Sequence, residues 1–417
     1  MQDIVSQGRD RVPGPWRRRG PRLLAAAAAV AVAAVLIAVN LPHHPHAQAK
    51  PRHSGAGAGA TATLPSAAVP EGAAGLGGAT VGVAGPTLPW QASTRLPVAG
   101  EQPAWFWPAT GRTVAIRGLP RDSAGYQFTR AGGGWLVQAA PGAQRGLSDG
   151  PSGCAGCAGA PGAVWFLGDQ ARTATRIGLA IRAAPGANPG QVWLTSYPPR
   201  ADPSTAAGTA QEVSVSGRPL GPPVRLPAGY MIDQGTDRGL LLAATAPRAG
   251  ALDDLLWQPA HPAASRVFAG VVAADPGEIA WAPQCSPVCQ VQVMDLTTGR
   301  SSSVTLPGAS SAASAAFSPD GQFLAIEVSF YNGGDDGTLA AQLDVVSVAT
   351  GGLAVAPGTF VSSDALVGFG WPTAADSLIA ELSFMTKVQV ASWSPGATRL
   401  AVTSVRPGPD SAGLVVG

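Results

Sequence analysis

The chain has 417 residues, of which 54 are glycine and 39 are proline, and only 12% are charged. This composition disfavours long helices, which glycine and proline interrupt, and it fits many short strands joined by turns. Six arginines and two aspartates lie in residues 1–22, so the remaining chain holds 21 basic and 23 acidic residues. A body this close to neutral lacks the basic excess of nucleic-acid-binding proteins, and we expect no nucleic-acid partner.

The first predicted element is an apolar segment near the amino terminus. Arginines at 17–19 and 22 precede nineteen uncharged residues, 23–41. A helix of about 20 apolar residues crosses the hydrocarbon core of a bilayer, and positive charge on its amino-terminal flank keeps that flank in the cytoplasm. We therefore predict a cytoplasmic basic tail over 1–22 and a transmembrane helix over 23–41, with the rest of the chain outside the plasma membrane.

A cleaved signal peptide is the alternative. Ala47-Gln48-Ala49 matches the small-x-small pattern of a cleavage site, and the protein would then be secreted after cleavage near Ala49. The apolar run is longer than the roughly 7–15 residues of a signal core, which favours a retained single-pass anchor. Both interpretations place the body outside the cytoplasm.

Residues 42–95 are dominated by alanine, glycine and proline. Such a segment buries too little apolar surface to offset the entropy of ordering it, so we predict a flexible linker. Four histidines in this segment could chelate a transition metal: His43, His44, His46 and His53. Polar padding beside the membrane is the favoured interpretation, and we predict no metal site.

One stretch, 313–357, has the pattern of a complete β-propeller blade. Strands are predicted at 313–317, 323–326, 343–348 and 353–355, joined by turns at 318–321 and 350–352 and by a Gly/Asp-rich loop at 332–337. Proline fixes φ early in the first turn, and glycine supplies the positive φ late in it. Four antiparallel strands in about 45 residues are typical of one blade.

A strand, a Gly/Pro turn and a second strand recur along the body. The seven hairpins begin at residues 126, 164, 213, 255, 291, 343 and 388, with a mean spacing of about 44 residues. If each hairpin is the back half of one blade, residues 96–417 form one all-β, seven-bladed propeller. Front halves are visible at 105–116 and 369–380.

Two features at the carboxyl terminus bear on the number of blades. The hairpin that runs from Trp393 to Val402 could instead open a blade, which makes six or eight blades the alternatives to seven. Residues 414–416 form a lone strand without a hairpin partner. In a propeller this strand could pair with the first blade and close the ring, which hides an exposed strand edge.

Two sequences within the body resemble a known group of proteins. SPDGQFLAI, at 318–326, and DLTTG, at 295–299, are similar to the repeats of TolB-like and WD-like bacterial propellers. The resemblance implies a propeller fold and a general habit of binding other proteins or small ligands. It implies no activity, because propellers host many unrelated functions.

The body contains two couples of cysteines. Cys154 and Cys157 enclose two residues, and Cys285 and Cys289 enclose three. In an exported protein we expect a disulfide within each couple, closing a short loop on the rim of the propeller. A redox dithiol, a four-cysteine zinc site and free thiols are the alternatives.

Candidate catalytic groups are few. His261 is the single histidine of the body, and no G-x-S-x-G motif supplies a nucleophile. Two acidic pairs, Asp253-Asp254 and Asp335-Asp336, could serve glycoside hydrolysis, and the second lies in a loop that lacks the spacing of a calcium site. We predict no catalytic, cofactor-binding or metal-binding residue, and no cofactor.

Eleven tryptophans are present, and five lie on predicted strands or at strand ends: Trp105, Trp107, Trp281, Trp371 and Trp393. Packing between blades is the favoured role, and rim aromatics for peptide or sugar binding are the alternative.

The sequence as a whole predicts a membrane-anchored, extracytoplasmic β-propeller. We expect a non-catalytic protein-binding or scaffold module at the cell envelope whose partner is an envelope or membrane protein, with a sugar or small molecule as a further candidate ligand. The alternative is a hydrolase or lyase that acts on cell-wall polysaccharide through loop carboxylates.

Overall fold

In the part of the chain that the structure describes, twenty-eight strands pair into seven antiparallel sheets. The computed structural model describes residues 90, 94–99, 102–120, 126–139, 161–199, 201–245, 253–283, 285, 288–331, 339–356, 361–362, 366–371, 377–384, 387–395 and 401–405. Within these residues the only helical element is a single 3-10 turn, Pro262–Ala264. The predicted all-β, seven-bladed propeller is confirmed. The predicted tail, transmembrane helix and strand 414–416 lie outside the described residues, as does most of the predicted linker.

The first three blades occupy residues 96–228. Blade 1 has three described strands: β1 (Leu96–Val98), β2 (Ala104–Trp107) and β3 (Arg112–Ala115). Blade 2 comprises β4 (Tyr126–Ala131), β5 (Gly134–Ala139), β6 (Gly162–Gly168) and β7 (Thr175–Ala180). Blade 3 comprises β8 (Arg182–Pro185), β9 (Gln191–Ser196), β10 (Ala207–Ser214) and β11 (Val224–Ala228).

Two further blades follow directly. Blade 4 comprises β12 (Tyr230–Thr236), β13 (Gly239–Ala244), β14 (Asp253–Trp257) and β15 (Arg266–Ala269). Blade 5 comprises β16 (Val271–Ala274), β17 (Glu278–Trp281), β18 (Cys289–Asp295) and β19 (Ser301–Leu306).

The last two blades complete the ring. Blade 6 comprises β20 (Ser311–Phe317), β21 (Phe323–Tyr331), β22 (Leu339–Ser347) and β23 (Leu353–Val355), with β24 (Val361–Ser362) beside β22. Blade 7 comprises β25 (Leu366–Gly370), β26 (Leu378–Phe384), β27 (Lys387–Trp393) and β28 (Ala401–Val405).

The strand pairing corrects one prediction about the hairpins and excludes one alternative. The hairpin that begins at Tyr126 is β4 and β5, the first half of blade 2, and the hairpin that begins at Val164 lies in β6 and β7, the second half of the same blade. They therefore count as one blade, and residues 96–115 supply the other. Trp393 ends the third strand of blade 7 and does not open a further blade.

Seven apolar clusters hold the ring together, one between each pair of adjacent blades. The cluster that joins blade 7 to blade 1 contains Leu96 and Phe106 on one side and Ile379 and Val390 on the other. Apolar residues alternate along the middle strands because each blade presents one face to each neighbour. The ring is therefore closed by side-chain packing.

The predicted role of tryptophan in packing between blades is evident at two buried positions. The indole Nε1–H of Trp105 in blade 1 donates to the carbonyl oxygen of Ala171 in blade 2, at 2.9 Å. The indole of Trp371 in blade 7 donates to Ala316 O in blade 6, at 3.0 Å, and stacks on Phe323. Each ring thus fills an interface and satisfies its own polar atom across it.

The Ser-Pro-Asp-Gly sequence of blade 6 folds as predicted. Ser318 is buried, and its Oγ accepts from Phe323 N–H at 2.9 Å and donates to the Asp320 carboxylate at 2.6 Å. Gly321 has φ +68°, which a residue with a Cβ rarely adopts. The turn joins β20 to β21 because these residues satisfy their own polar groups locally.

Candidate functional site

The inner wall of the propeller is formed by the first strands of blades 2 to 7. The strands β4, β8 and β12 approach one another in turn between neighbouring blades, as do β16, β20 and β25. They are rich in alanine, glycine and serine, and three of their described residues are charged: Arg130, Arg182 and Asp233. Polar chemistry on the inner wall is therefore concentrated at few positions.

Asp233 projects from an irregularity in β12. The register of β12 on β13 skips one residue between Ile232 and Gln234, so Asp233 is the extra residue of a β-bulge. The same skip occurs in the first strands of blades 5, 6 and 7, where the extra residues are Val272, Ala313 and Val367. A bulge re-aims a side chain, and only blade 4 places a carboxylate there.

Arg182 pairs with Asp233 across two blades. Its Nη2 donates to Asp233 Oδ1 at 2.8 Å, and both side chains are about two-fifths exposed (41% and 42%). Arg182 begins β8 of blade 3, whereas Asp233 lies on β12 of blade 4. The ion pair therefore fixes the Asp233 carboxylate beside the inner wall.

A cavity of about 290 Å³ opens next to this carboxylate. Asp233 and Asp254 provide its acidic groups, and small apolar residues of β13 and β16 form much of its wall, among them Ala243, Ala244, Ala273 and Ala274. Because the small side chains leave room, both carboxylates can meet the same ligand between blades 4 and 5.

The environment of Asp254 alters its protonation. Partial burial raises the pKa of Asp254 to about 6, and the carboxylates of Asp233 and Asp253 add to the effect. The backbone N–H of Val271 donates to Asp254 and acts in the opposite direction. A positively charged group in the cavity would favour the ionised form of Asp254, since opposite charges lower a carboxyl pKa.

The residues singled out from the sequence have different outcomes. Asp253 and Asp254 are the first two residues of β14, and Asp254 lines the cavity. Asp335 and Asp336 lie outside the described residues, as do the linker histidines. His261 is exposed at the start of the 3-10 turn. Among the described residues, no three histidine, cysteine or acidic side chains are grouped as metal ligands.

The structure describes one of the two cysteine pairs and does not describe the predicted membrane segment. A disulfide joins Cys285 to Cys289, as the sequence predicted for this couple, and Cys289 is the first residue of β18. Cys154 and Cys157 lie outside the described residues. Within the part of the chain that the structure describes, no helix is long and apolar enough to cross a membrane; the predicted span 23–41 is not in that part.

Sequence reasoning missed Asp233 and Arg182. The two residues are 51 positions apart, and neither belongs to a recognisable motif. Only the packing of blade 3 on blade 4 brings them together, and only the bulge aims Asp233 at the cavity. The acidic pair Asp253-Asp254 was the one local signal for this site.

Comparisons with known proteins yield partial likenesses. No protein-family model matches the chain. No curated protein matches it. Among solved structures, TolB from Acinetobacter baumannii is 10% identical with a TM-score of 0.42, over 78% of this chain and 66% of TolB.

Two enzymes are also similar in part. An acylaminoacyl peptidase is 10% identical with a TM-score of 0.46, over 74% of this chain and 49% of the peptidase. A puromycin hydrolase is 13% identical with a TM-score of 0.41, over 70% of this chain and 46% of the hydrolase. The chain thus spans about half the length of each enzyme. The assignment of the fold depends on the strand pairing described above and not on these likenesses.

Proposed function

We propose that this protein is a membrane-tethered, extracytoplasmic β-propeller that binds a partner protein and receives a positively charged group of that partner in the cavity between blades 4 and 5. The observation that carries the proposal is the pair Asp233 and Asp254 on one cavity of about 290 Å³. A lysine side chain or a free amine fits this site. The two carboxylates attract a cation, and one guanidinium, that of Arg182, repels it.

Two features support the cellular setting of the proposal. A disulfide such as Cys285–Cys289 persists in oxidising compartments, which fits a domain outside the cytoplasm. The apolar segment 23–41 would hold the propeller at the membrane, and a tether raises the local concentration of a binding module near its partner. A scaffold at the cell envelope gains affinity from the tether.

The direct test is binding of a lysine-rich peptide to the full-length protein, with the Nε-acetylated peptide as the comparison. We expect measurable affinity for the first and none for the second, and a loss of about ten-fold or more in the Asp254→Asn variant, because a charge-assisted hydrogen bond is removed. Asp237→Asn, an exposed aspartate away from the cavity, is the matched control. Equal affinity for both peptides would reject the proposal.

The partner itself can be identified by affinity recovery from crosslinked membranes. We expect one envelope protein to be recovered with the wild-type chain and with Asp237→Asn, and to be depleted with Asp254→Asn. Recovery of the same protein with all three chains would show that the cavity plays no part in capture.

A second candidate function is hydrolysis or cleavage of cell-wall polysaccharide. The observation that favours it is that two carboxylates share the cavity and that the pKa of Asp254, about 6, suits a proton donor near neutral pH. The test is release of new reducing ends from wall polysaccharide. Release that Asp254→Asn abolishes would support this function, and no release from any wall fraction would reject it.

A further inference from the structure

One face of the propeller is built from the turns that join first to second strands. Consecutive blades touch there. In blades 4 and 5, Asp237 N–H donates to Pro276 O at 2.8 Å. In blades 2 and 3, Gly132 lies so close to Pro189 that a Cβ atom added to the glycine would be 3.0 Å from Pro189 Cα. The turns between third and fourth strands lie at the same end, because the strands of each blade are antiparallel. We call this surface, formed by both sets of turns, the turn face.

The blades differ sharply in charge. Residues 94–228, which contain blades 1 to 3, hold 12 basic and 6 acidic residues, whereas residues 229–356, which contain blades 4 to 6, hold 4 basic and 12 acidic residues. The near-neutral total therefore conceals two oppositely charged sectors. Because the seven blades form a closed ring, the described residues of these two sectors lie on opposite sides of the ring.

A group of arginines, the basic arc, surrounds the turn 169–174 of blade 2. Its members are Arg95, Arg112, Arg117 and Arg172, together with Arg218 on the corresponding turn of blade 3. Arg95 donates to Asp169 O and lies 4.3 Å from the centre of the Trp105 ring. Arg117 N–H donates to Arg172 O at 2.8 Å. Among the described residues, the nearby carboxylate is that of Asp169, which already pairs with Arg130.

The acidic arc lies on the turns of blades 4 to 6. Its members are Asp237, Asp275, Asp295 and Asp320. Arg238, on the same turn as Asp237, directs its guanidinium to two backbone oxygens, Leu296 O at 2.7 Å and Thr297 O at 2.6 Å. In the described part of the chain, the arc contains no salt bridge within 4.0 Å.

We infer that the turn face is a dimerisation surface on which two copies of this chain pack about a two-fold axis, each basic arc against the acidic arc of the other copy. A two-fold rotation about an axis in the plane of the face exchanges its two halves, so the face is complementary to itself. A second copy satisfies both arcs at once. An anionic polymer would meet only the basic arc and would be repelled by the acidic one.

The experiment is sedimentation velocity of the full-length protein in detergent at about 0.05 M and about 0.5 M salt, where the screening length falls from about 14 Å to about 4 Å. We expect a dimer at low salt and a monomer at high salt. A monomer at both salt concentrations, or a dimer that salt does not affect, would overturn the inference.

Charge reversal then tests the pairing itself. Variant A carries Arg112→Glu, Arg172→Glu and Arg218→Glu, and variant B carries Asp237→Lys and Asp320→Lys; all five residues are exposed. We expect each variant alone to associate at least ten-fold more weakly than the wild type, and an equimolar mixture of A and B to recover dimerisation. A mixture that stays monomeric while both variants are folded contradicts the inference.

Two controls keep this test interpretable. Arg225→Glu changes an exposed arginine, the second residue of the outer strand β11 and the partner of Thr209, and we expect it to dimerise like the wild type. Asp320 accepts a hydrogen bond from Gln322 N–H within its own turn, so variant B could unfold locally. The single variant Asp237→Lys, whose side chain supports no turn, replaces variant B in that case and is expected to weaken the dimer in the same direction.

Discussion

Glu278 begins β17 and directs its carboxyl group toward the turn of the next blade. Its Oε2 is buried and has no hydrogen-bond partner among the described residues, and a Cβ atom added at Gly321 would lie 3.5 Å from that oxygen. Burial raises the pKa of Glu278 from its ordinary value of 4.5 to about 7, and the carboxylates of Asp275 and Asp295 add to the rise. The folded protein therefore favours the neutral acid, and this group lowers stability as the pH rises from 4.5 toward 7.

The corresponding prediction concerns Glu278→Gln, which removes the charge. We expect the stability of the variant relative to wild type, measured as its free energy of unfolding, to be about 1 kcal/mol higher at pH 8 than at pH 5, after allowance for solvent screening of a half-buried group. Denaturant unfolding at both pH values measures the difference. Glu327→Gln controls for the loss of one carboxylate. A relative stability that is equal at both pH values would refute the prediction.

At the scale of strands and blades, Gln138 of β5 links blade 2 to blade 3. Its buried amide Nε2 donates to Ala180 O at 3.0 Å and to Ile181 O at 2.9 Å, and its Oε1 accepts from Ala183 N–H at 3.1 Å. These three backbone groups lie at the end of β7, at the connecting Ile181 and near the start of β8, where the chain passes from one blade to the next. One side chain satisfies all three.

We predict that Gln138→Leu lowers the free energy of unfolding by about 2–4 kcal/mol, because buried backbone groups lose their partners. Gln127→Leu is the matched control, since Gln127 lies directly opposite Gln138 on β4 and is exposed. Thermal or denaturant unfolding of both variants gives the comparison. If the two variants are destabilised equally, the hydrogen bonds that Gln138 makes between blades 2 and 3 contribute no more to stability than an exposed glutamine does.

The elements themselves were predictable to different extents. The four strands of blade 6 were foreseen because the turn 318–321 carries its own conformational signals and the strands between the turns are apolar. The hairpins at 126 and 164 were assigned to separate blades because local sequence does not reveal which hairpins pair with each other. Residues 140–160 separate them in the chain, and only the pairing of β5 with β6 unites them.

At the scale of the whole molecule, the remaining prediction concerns its cellular placement. The nineteen uncharged residues 23–41 behind an arginine-rich flank predict a retained anchor. We expect the protein in the membrane fraction with an intact amino terminus by mass spectrometry. Val32→Arg should release it, because an arginine at the centre of a membrane helix costs about 2.5–3.5 kcal/mol. A soluble extracellular form beginning near Ala49 would establish cleavage instead.

The sequence by itself determined the class of fold and one disulfide and favoured seven blades, because turns, strand alternation and short cysteine spacing are local properties of a chain. The tertiary structure decided the rest. Asp233 meets Asp254 only because a bulge and the packing of adjacent blades place both on one cavity. The basic residues of blades 1–3 and the acidic residues of blades 4–6 come to lie on opposite sides of the ring only when the ring closes. The sequence gives the order of these charges along the chain, and the fold gives their positions in space.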